Sequence, residues 1–182
     1  MPILRDRNRR YVVSRKSPQI PPGLWIADVG AGTGLFTLRF AEAVGPSGRV
    51  YAVDVSESFV DSIRRHARAE GLENVVPVVN QQTSVALDTA TVDLVFLCDT
   101  YHHFEYPDAM LASIREALAP GGVLAIIDDR REPDVSAPWI IEHVRADRRT
   151  VIKEVTQAGF DLIDEPLELR ENFFIRFRKR HP

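Results

Sequence analysis

The sequence predicts an α/β fold with a doubly wound, seven-stranded sheet whose strands are mostly parallel. Three observations predict it: β-rich runs alternate with helical runs, the run VDLVFLC (92–98) is almost continuously apolar, and the last two β-rich runs lie close together, at about 161–168 and 172–179. The alternation is typical of right-handed βαβ units, and the apolar run indicates a strand buried on both faces. The final connector is too short for a crossover helix, so the last two strands should be antiparallel neighbours.

Length and composition are those of one globular domain. The chain has 182 residues, of which 45% are hydrophobic and 27% are charged. We expect the domain to cover residues 21–182 and to follow a basic segment, residues 1–20, in which six basic side chains accompany one acid, Asp6. Residues 176–182 are also basic. We expect both ends to lie against the acidic body of the protein rather than to bind nucleic acid.

Cysteine content and apolar runs bear on where the protein works. Cys98 is the single cysteine of the sequence, so no intrachain disulfide can form. No apolar run reaches the length of a membrane span, and the N-terminus lacks the apolar core and small-residue cleavage site of a secretory signal. These features predict a cytoplasmic protein with no membrane span.

The first elements follow from apolar periodicity. Residues 24–29 form a predicted strand that runs into a glycine-rich turn, and a helix follows with Phe36, Phe40 and Val44 on one face. The glycines and proline of GPSG (45–48) end that helix. The strand, turn and helix together form the first unit of the predicted sheet.

Two more strands and a helix complete the first half of the chain. RVYAVDV (49–55) is a β-rich run, and Phe59, Ile63 and Ala67 share one face of the helix that follows it. VVPVV (75–79) predicts the third strand, and its proline favours an edge position because proline has no amide hydrogen to donate.

The second half continues the alternation before the final strand pair. Pro107 begins a helix that carries three large aliphatic side chains at helical spacing, Leu111, Ile114 and Leu118. GVLAIIDD (122–129) is the fifth predicted strand, and a last helix lies near 147–158. With the final pair this gives seven strands, of which one near the C-terminus is reversed.

The turn after the first strand predicts a nucleotide-like ligand. Gly30, Gly32 and Gly34 are spaced G-x-G-x-G, and Leu35 stands where the dinucleotide-binding pattern has its last glycine. Bare backbone at the start of a helix lets a ligand approach the amides closely. Asp28 precedes the turn, and Asp54 follows Gly34 by twenty positions, where a carboxylate can accept both hydroxyls of a ribose. A cofactor with a nucleoside and a charged amino-acid tail fits this arrangement better than a dinucleotide.

Four stretches carry a resemblance to a known family. They are DVGAGTG (28–34), YAVDVS (51–56), VDLVFLCDTYHHF (92–104) and LAPGGVLAIID (118–128), and together they resemble the class I S-adenosylmethionine-dependent methyltransferases. The resemblance covers about residues 22–179 and is to the small branch grouped with the ubiquinone/menaquinone C-methyltransferases. It implies a Rossmann-like fold with an antiparallel C-terminal strand, S-adenosylmethionine as cofactor, and methyl transfer as the activity.

The resemblance also implies cofactor-binding residues. It places the methionyl and ribose portions over the turn, Asp28 near the methionine amino group, Asp54 at the ribose hydroxyls, Val55 against the adenine, and Asp99 near the methionine. One position departs from the family, because Asn80-Gln81 replaces the usual Gly-Asp after the third strand. The Gln81 oxygen can still accept from the adenine amino group, but without the strength of a charged acceptor. The implied cofactor-binding set is Asp28, Gly30, Ala31, Gly32, Gly34, Asp54, Val55, Gln81 and Asp99.

Candidate catalytic residues follow the fourth and fifth strands. Methyl transfer from a sulfonium needs alignment, exclusion of water and, for a protonated acceptor, a base within hydrogen-bond reach. Histidine titrates near neutral pH, and it equally serves as a packing residue in such a loop. The candidates are Tyr101, His102, His103 and His143, and Asp128 is a further residue of the acceptor pocket. We expect no metal, since no tight ligand spacing is present and adjacent Asp128 and Asp129 should point to opposite faces of a strand.

The acceptor is predicted from absences in the sequence. DTYHHF lacks the two prolines of the motif with which amino-methyltransferases stack a flipped nucleic-acid base, and a single cysteine argues against arsenite-type chemistry. We therefore expect a small organic acceptor. Its pocket would be closed by residues 1–20, by residues 130–146 or by the second subunit of a homodimer. Three other functions stay open: a silent module that binds the cofactor, an NAD-dependent reductase, and an RNA methyltransferase that uses the basic ends.

Overall fold

The computed structural model describes residues 3–5, 11–13 and 20–180, and most of its strands form one sheet. Two short strands, β1 and β2, pair antiparallel with each other, apart from this sheet. The described residues form the strands β1 (Ile3–Arg5), β2 (Tyr11–Val13), β3 (Trp25–Val29), β4 (Arg49–Asp54), β5 (Val75–Val79), β6 (Val92–Cys98), β7 (Leu118–Asp129), β8 (Phe160–Glu168) and β9 (Asn172–Lys179). The predicted basic segment, residues 1–20, otherwise lies outside the described residues.

Within residues 20–180, five helices and one short 3-10 turn connect the strands of the sheet. The helices are α1 (Leu35–Val44), α2 (Glu57–Ala69), α3 (Pro107–Ala117), α4 (Pro138–His143) and α5 (Arg148–Gln157), and the 3-10 turn is Tyr101–His103. None of the described helices is long and apolar enough to cross a membrane.

The order of the large sheet confirms the predicted fold class. Its strands lie in the order β5-β4-β3-β6-β7-β9-β8, and β3 pairs in parallel with both β4 and β6. The chain order reverses at β3 and β6, so the crevice at their carboxyl ends is where ligands bind in folds of this kind. β9 pairs antiparallel with β7 and β8, which is the reversed strand that the short final connector predicted.

Alternate residues of the buried strands contribute to two apolar layers. In β3, Ile26 belongs to a cluster with Phe36, Phe40 and Phe96, while its neighbour Ala27 belongs to a different cluster. The ring centroids of Phe36 and Phe40 each lie 5.1 Å from that of Phe96. This is the separation at which aromatic edges and faces attract each other, so α1 is held firmly against the sheet beside the glycine turn.

Several details differ from the predicted elements. Phe59 is 43% exposed, and its neighbour Val60 is buried with Ile63 and Ala67, so the buried face of α2 begins one residue later than predicted. Leu118 begins β7 rather than ending α3, and it is fully buried there. Leu118 is therefore buried as the first residue of a strand and not as the last residue of the predicted helix. Helix α2 still packs on the core through Ile63 and Ala67, as predicted.

The basic residues near the C-terminus pair with acids of the neighbouring strand. Arg176 donates to Asp164 with its Nε at 2.8 Å, and Arg180 donates to Asp161 at 2.8 to 3.0 Å. The structure therefore shows these two arginines lying against the acidic body, as the sequence analysis expected.

Candidate functional site

The glycine turn, Gly30 to Gly34, is fixed onto the end of β4. The amides of Gly30 and Ala31 donate to the carbonyl of Val53, at 2.8 and 3.1 Å, and the amide of Gly34 donates to the carbonyl of Ala31 at 2.8 Å. These bonds satisfy the amides of Gly30, Ala31 and Gly34 with backbone carbonyls, and the Asp54 side chain satisfies the amide of Gly32. The turn is therefore a rigid shelf at the reversal of strand order.

The three glycines of the turn serve different purposes. All three have positive φ, which other residues rarely adopt. A Cβ on Gly30 would overlap the side chain of Thr100, and a Cβ on Gly34 would lie 2.8 Å from Ile63. A Cβ on Gly32 would meet nothing within 4 Å. The outer two glycines thus allow close packing, while Gly32 leaves free space above the shelf.

Asp54 lies at the end of β4 with both carboxylate oxygens engaged by backbone. Oδ2 accepts from the amide of Gly32 and Oδ1 accepts from the amide of Ser56, each at 2.8 Å. The residue is 7% exposed. A carboxylate oxygen can accept more than one hydrogen bond, so each oxygen keeps capacity for a ligand hydroxyl while its position stays fixed.

Asp28 is a buried carboxyl group behind the turn. It is 2% exposed, and Thr37 of α1 donates its hydroxyl to Oδ2 at 2.6 Å. Burial disfavours the charged form and raises the pKa of Asp28 to about 7, although the hydrogen bonds from Thr37 oppose this shift. Near neutral pH the group therefore exists as a mixture of acid and carboxylate.

Two exposed valines and a loop lie next to the carboxyl ends of β4 and β5, and the side-chain amide of Asn80 fixes the loop. Val55 and Val79 are large apolar residues that remain about half exposed. Asn80 donates through Nδ2 to the carbonyls of Gln81 and Ser84, at 3.0 and 3.1 Å. Asn80 thus fixes the loop, while Gln81 is exposed beside the apolar edge.

Asp99 immediately follows β6 and has a positive φ, which is uncommon for a residue other than glycine. Its φ is +50°, and its Oδ1 accepts from Nδ2 of Asn172 at 3.4 Å. The same Nδ2 donates to Asp129 at 2.8 Å, so Asn172 of β9 lies between two carboxylates. The buried carboxylates of Asp28, Asp54, Asp128 and Asp129 and the half-buried Asp99 make the carboxyl edge of the sheet acidic.

Asp128 at the end of β7 holds His102 by two hydrogen bonds. The backbone amide of His102 lies 3.1 Å from Oδ2, and the ring Nδ1 lies 2.6 Å from Oδ1. Burial lowers the pKa of His102, but the hydrogen bond and negative charge of Asp128 outweigh burial, so the pKa is raised above its ordinary value. Because the carboxylate accepts from Nδ1, the other ring nitrogen, Nε2, is the one available to a ligand.

Three histidines from two distant parts of the chain lie close together next to Asp128. His102 and His103 belong to the 3-10 turn, and His143 ends α4. The ring centroids of His102 and His103 lie 4.1 Å apart, and each lies 5.2 Å from that of His143. We call these residues the histidine cluster. Burial, followed by the neighbouring His102 and His143, lowers the pKa of His103.

Tyr101 lies in the core rather than at the mouth of the crevice. It is fully buried, and its hydroxyl donates to Oε2 of Glu154 in α5 at 2.7 Å. Glu154 also accepts from Arg145, through both carboxylate oxygens at 2.9 and 3.0 Å. Burial and the hydrogen bond to Glu154 raise the pKa of Tyr101. Its hydroxyl therefore connects the 3-10 turn to α5 within the core, and the catalytic role of Tyr101 stays a prediction.

The sequence of this chain matches a known protein family. A family model described as a methyltransferase domain matches residues 26–122, which is more than half of the chain. The chain belongs to this methyltransferase family. It is a class I S-adenosylmethionine-dependent methyltransferase, and S-adenosylmethionine is its cofactor.

Curated relatives of this methyltransferase carry the name ubiquinone/menaquinone biosynthesis C-methyltransferase. The protein of Hydrogenovibrio crunogenus is 27% identical over 78% of this chain and 67% of its own length. The protein of Burkholderia cenocepacia is 29% identical over 60% of this chain and 44% of its own length. The methyltransferase thus matches only about half to two thirds of the length of these relatives.

Solved structures share its fold. A methyltransferase from Aquifex aeolicus, described as dependent on S-adenosylmethionine, superposes with a TM-score of 0.79 at 28% identity, covering 86% of this chain and 82% of its own. The [4+2]-cyclase SpnF superposes with a TM-score of 0.77 at 17% identity, covering 88% and 76%. At that identity the second likeness concerns the fold alone.

The residues at the turn fit the cofactor of the family. The space above Gly32 is open to a ligand, and the Asp54 oxygens are fixed beside it with remaining acceptor capacity. The acidic edge suits a molecule that carries a positive sulfonium and a positive ammonium group. Shape, hydrogen-bonding capacity and charge therefore agree with S-adenosylmethionine.

Some residues of the site carry no signal that sequence analysis used. Thr37, Thr100 and Asn172 are ordinary polar residues in the sequence, and each contacts a predicted site residue only because the fold brings it there. α4 was not predicted either, and its last residue completes the histidine cluster. A helix of six residues that begins at a proline is too short for apolar periodicity to show it.

Proposed function

We propose that the protein transfers the methyl group of S-adenosylmethionine to a small organic acceptor by in-line displacement. When bound, the cofactor supplies a methyl group that is already activated on a positively charged sulfur. The protein therefore has three tasks: to hold the cofactor, to align the acceptor, and to exclude water. Different residues at the carboxyl edge of the sheet perform each of these tasks.

In this proposal the cofactor lies along the glycine turn. Asp54 accepts from the ribose hydroxyls, and Asp28 interacts with the methionine amino group, directly or through water. The exposed side chains of Val55 and Gln81 receive the adenine. The hydrogen bond between Asp54 and the amide of Gly32, the open space at Gly32, and the exposure of Val55 and Gln81 support these roles. The proposed cofactor-binding set remains Asp28, Gly30, Ala31, Gly32, Gly34, Asp54, Val55, Gln81 and Asp99.

One observation connects the cofactor shelf with the acceptor side. Thr100 packs so closely on Gly30 that a Cβ there would overlap it. Thr100 immediately precedes the 3-10 turn that carries His102 and His103. The histidine cluster therefore borders the glycine turn, and this contiguity is the observation that carries the proposal.

The proton that leaves an acceptor hydroxyl, amine or acidic carbon needs a base. His102 is the base we propose, since Asp128 orients its ring and leaves Nε2 for the acceptor. The Asp128 carboxylate also stabilises the imidazolium that forms. His103 and His143 form the adjoining wall of the acceptor pocket.

Exposed apolar side chains near the histidine cluster indicate the type of acceptor. Tyr106, Val135 and Trp139 are large apolar side chains that remain 41 to 54% exposed in the segments beside the cluster. Such side chains suit an apolar or aromatic organic molecule. Relatives are named for C-methylation in ubiquinone and menaquinone biosynthesis, which accords with an acceptor of this type.

The test is transfer of label from methyl-labelled S-adenosylmethionine. Purified protein is incubated with a small-molecule extract in one reaction and with total RNA in another, and labelled products are separated by chromatography. We expect label in the small-molecule fraction and none in RNA. Label in RNA alone would refute the small-acceptor proposal, and binding of cofactor without any transfer would identify a silent module.

A matched pair of variants locates the activity. Asp54→Ala should lose labelling because the ribose loses its acceptor, while Asp88→Ala, at an exposed position away from the crevice, should keep it. His102→Ala should reduce transfer while leaving cofactor affinity unchanged, because the histidine acts on the acceptor side. Equal losses of affinity and transfer would contradict that assignment.

A further inference from the structure

The histidine cluster has the composition and spacing of a metal site. His102, His103 and His143 each offer one ring nitrogen, and these three atoms lie within 4.8 Å of one another. Among the described residues, neither His103 nor His143 has a side-chain hydrogen bond, so their ring nitrogens remain available. The three ring nitrogens are therefore close enough to one another to bind a single cation, and imidazole is a preferred ligand of transition metals.

We propose that the histidine cluster binds one divalent transition-metal ion of the zinc type, with the fourth coordination position open. Three histidines and an open position are the ligand set of catalytic zinc sites. Neutral imidazole suits zinc, cobalt, nickel and copper, whereas magnesium and calcium prefer oxygen ligands, which the three ring nitrogens do not provide.

Asp128 supplies the outer support that such sites need. Histidines that bind metals commonly donate their second ring nitrogen to a carboxylate, which fixes the tautomer and the ring orientation. His102 meets this condition, because its Nδ1 lies 2.6 Å from Asp128 and its Nε2 is left for the ion. Asp128 is 2% exposed and also accepts from the backbone amide of His102, so both ring and backbone are held.

Metal binding requires the ligand nitrogens, which lie within 4.8 Å of one another, to approach more closely. With zinc–nitrogen bonds of 2.0–2.1 Å, tetrahedral ligand nitrogens lie about 3.3 Å apart and the ring centroids about 5 Å apart. Two of the three centroid separations are 5.2 Å, and the third is 4.1 Å. His102 is held by Asp128, while His103 and His143 are exposed and can rotate toward the ion.

This site revises the expectation, drawn from the sequence, that no metal is bound. That expectation relied on the absence of tight ligand spacing, and forty residues separate His103 from His143. The fold brings them together: Asp128 of β7 contacts His102 of the 3-10 turn, and His143 of α4 contacts His102 and His103. The adjacent acids of β7 take different partners, His102 for Asp128 and Asn172 for Asp129.

The role of the ion rests on the proposed function. An acceptor hydroxyl that occupies the open position loses its proton to solvent, since coordination lowers the pKa of the hydroxyl. Its oxygen then forms a bond to the methyl carbon as the carbon–sulfur bond breaks, and that electron pair returns to sulfur. For such a hydroxyl acceptor, as distinct from the C-methylation for which the relatives are named, the products are a methyl ether, a neutral thioether and the released proton. His102 is therefore the base only in the metal-free protein, because its Nε2 is a ligand when the ion is bound and the ionised hydroxyl then needs no base.

The experiment measures metal binding without any acceptor. Tag-free protein is treated with a chelator, dialysed, and titrated with zinc(II) against a competing chromophoric chelator; cobalt(II) substitution then reports the geometry by its visible spectrum. We expect one zinc per chain and the intense bands of four-coordinate cobalt. His143→Ala and His103→Ala should each weaken binding at least tenfold, and Asp128→Asn by about 10- to 100-fold.

Controls separate site loss from misfolding. His66→Ala replaces an exposed histidine of α2, outside the cluster, and should bind zinc as the parent protein does. Every variant is also tested for S-adenosylmethionine affinity, which the exposed His103 and His143 substitutions should leave unchanged. No stoichiometric zinc, or zinc binding that survives His143→Ala, would overturn the metal site. Failure of methyl transfer with intact zinc binding would instead count against the proposed function.

Discussion

At the scale of single residues, Asp28 shows how burial changes the protonation of a carboxyl group. In the sequence it is one acid before a glycine turn. In the structure it is 2% exposed, and burial raises its pKa to about 7. A cofactor ammonium placed nearby would favour the carboxylate form, so the group should release a proton when the cofactor binds.

The raised pKa predicts how stability depends on pH. The cofactor-free folded protein keeps the Asp28 proton up to about pH 7, whereas the unfolded chain loses it near the ordinary value of 3.8. The contribution of this proton to stability is therefore fully present below about pH 4 and is lost as pH rises through 7. Asp28→Asn has no proton to lose at this position. Between pH 5 and pH 8 the parent protein should therefore lose about 2–3 kcal/mol more of its free energy of unfolding than Asp28→Asn does.

Denaturant unfolding at the two pH values measures this difference. Asp88→Asn, at an exposed position, is the control and should follow the parent protein at both pH values. Parallel pH dependence of the parent protein and Asp28→Asn would show that Asp28 is ionised across the whole range.

At the scale of elements, the glycine turn depends on packing from two other segments. Gly30 meets Thr100 and Gly34 meets Ile63, but Gly32 meets nothing. Alanine at Gly32 therefore adds only backbone strain, about 1–2 kcal/mol. Alanine at Gly30 adds the same strain together with a steric overlap, so it should destabilise the protein more.

Two comparisons test this division of the turn. Gly30→Ala should lower the free energy of unfolding by more than Gly32→Ala does, and Thr100→Ala should restore part of the loss when it is added to Gly30→Ala. Gly32→Ala should instead lose S-adenosylmethionine affinity out of proportion to its stability. Equal destabilisation by the two glycine substitutions, without rescue, would contradict the packing described for Gly30.

The 3-10 turn depends on a buried contact beneath it. Tyr101 connects this turn to α5 through Glu154, which also binds Arg145. Tyr101→Phe should lower the free energy of unfolding by about 1 kcal/mol, the usual net value of one hydrogen bond. Tyr51→Phe is the control, since that hydroxyl makes no hydrogen bond to a described residue, and its effect should be smaller.

Methyl transfer distinguishes a structural tyrosine from a catalytic one. If Tyr101 only supports the turn, Tyr101→Phe should keep most of the parent rate well below its melting temperature. A rate loss of a hundredfold or more with unchanged stability would return Tyr101 to the catalytic candidates.

The elements that the sequence predicted are those with strong local signals. Long apolar runs, helical periodicity and the G-x-G-x-G turn gave the strands of the large sheet, four helices and the position of Asp54. α4 and the 3-10 turn are too short to produce a period. The approach of His143 to His102 is a contact across the fold, and no spacing in one sequence shows such a contact.

At the scale of the whole molecule, the fold gathers groups that lie far apart in the sequence at one edge. The carboxylates there lie near or just after the ends of β3, β4, β6 and β7, because the carboxyl ends of parallel strands meet. A ligand that fills this edge contacts several elements at once. Binding should therefore stabilise the folded protein as a unit rather than one loop of it.

Thermal unfolding with ligands tests this whole-molecule coupling. At a concentration 100 times the dissociation constant, a ligand that binds only the folded state adds about 2.7 kcal/mol, which for a protein of this size raises Tm by roughly 5–10 °C. S-adenosylmethionine and its demethylated product should both produce such a rise, and NADH should produce none, because Leu35 replaces the last glycine of the dinucleotide pattern. Asp54→Ala should lose most of the ligand-induced rise, and the rise rather than Tm itself is compared because Asp54 also holds the turn. A rise with NADH alone would mean that the turn accepts a pyrophosphate, and the assignment of Asp54 to the ribose of S-adenosylmethionine would then be wrong.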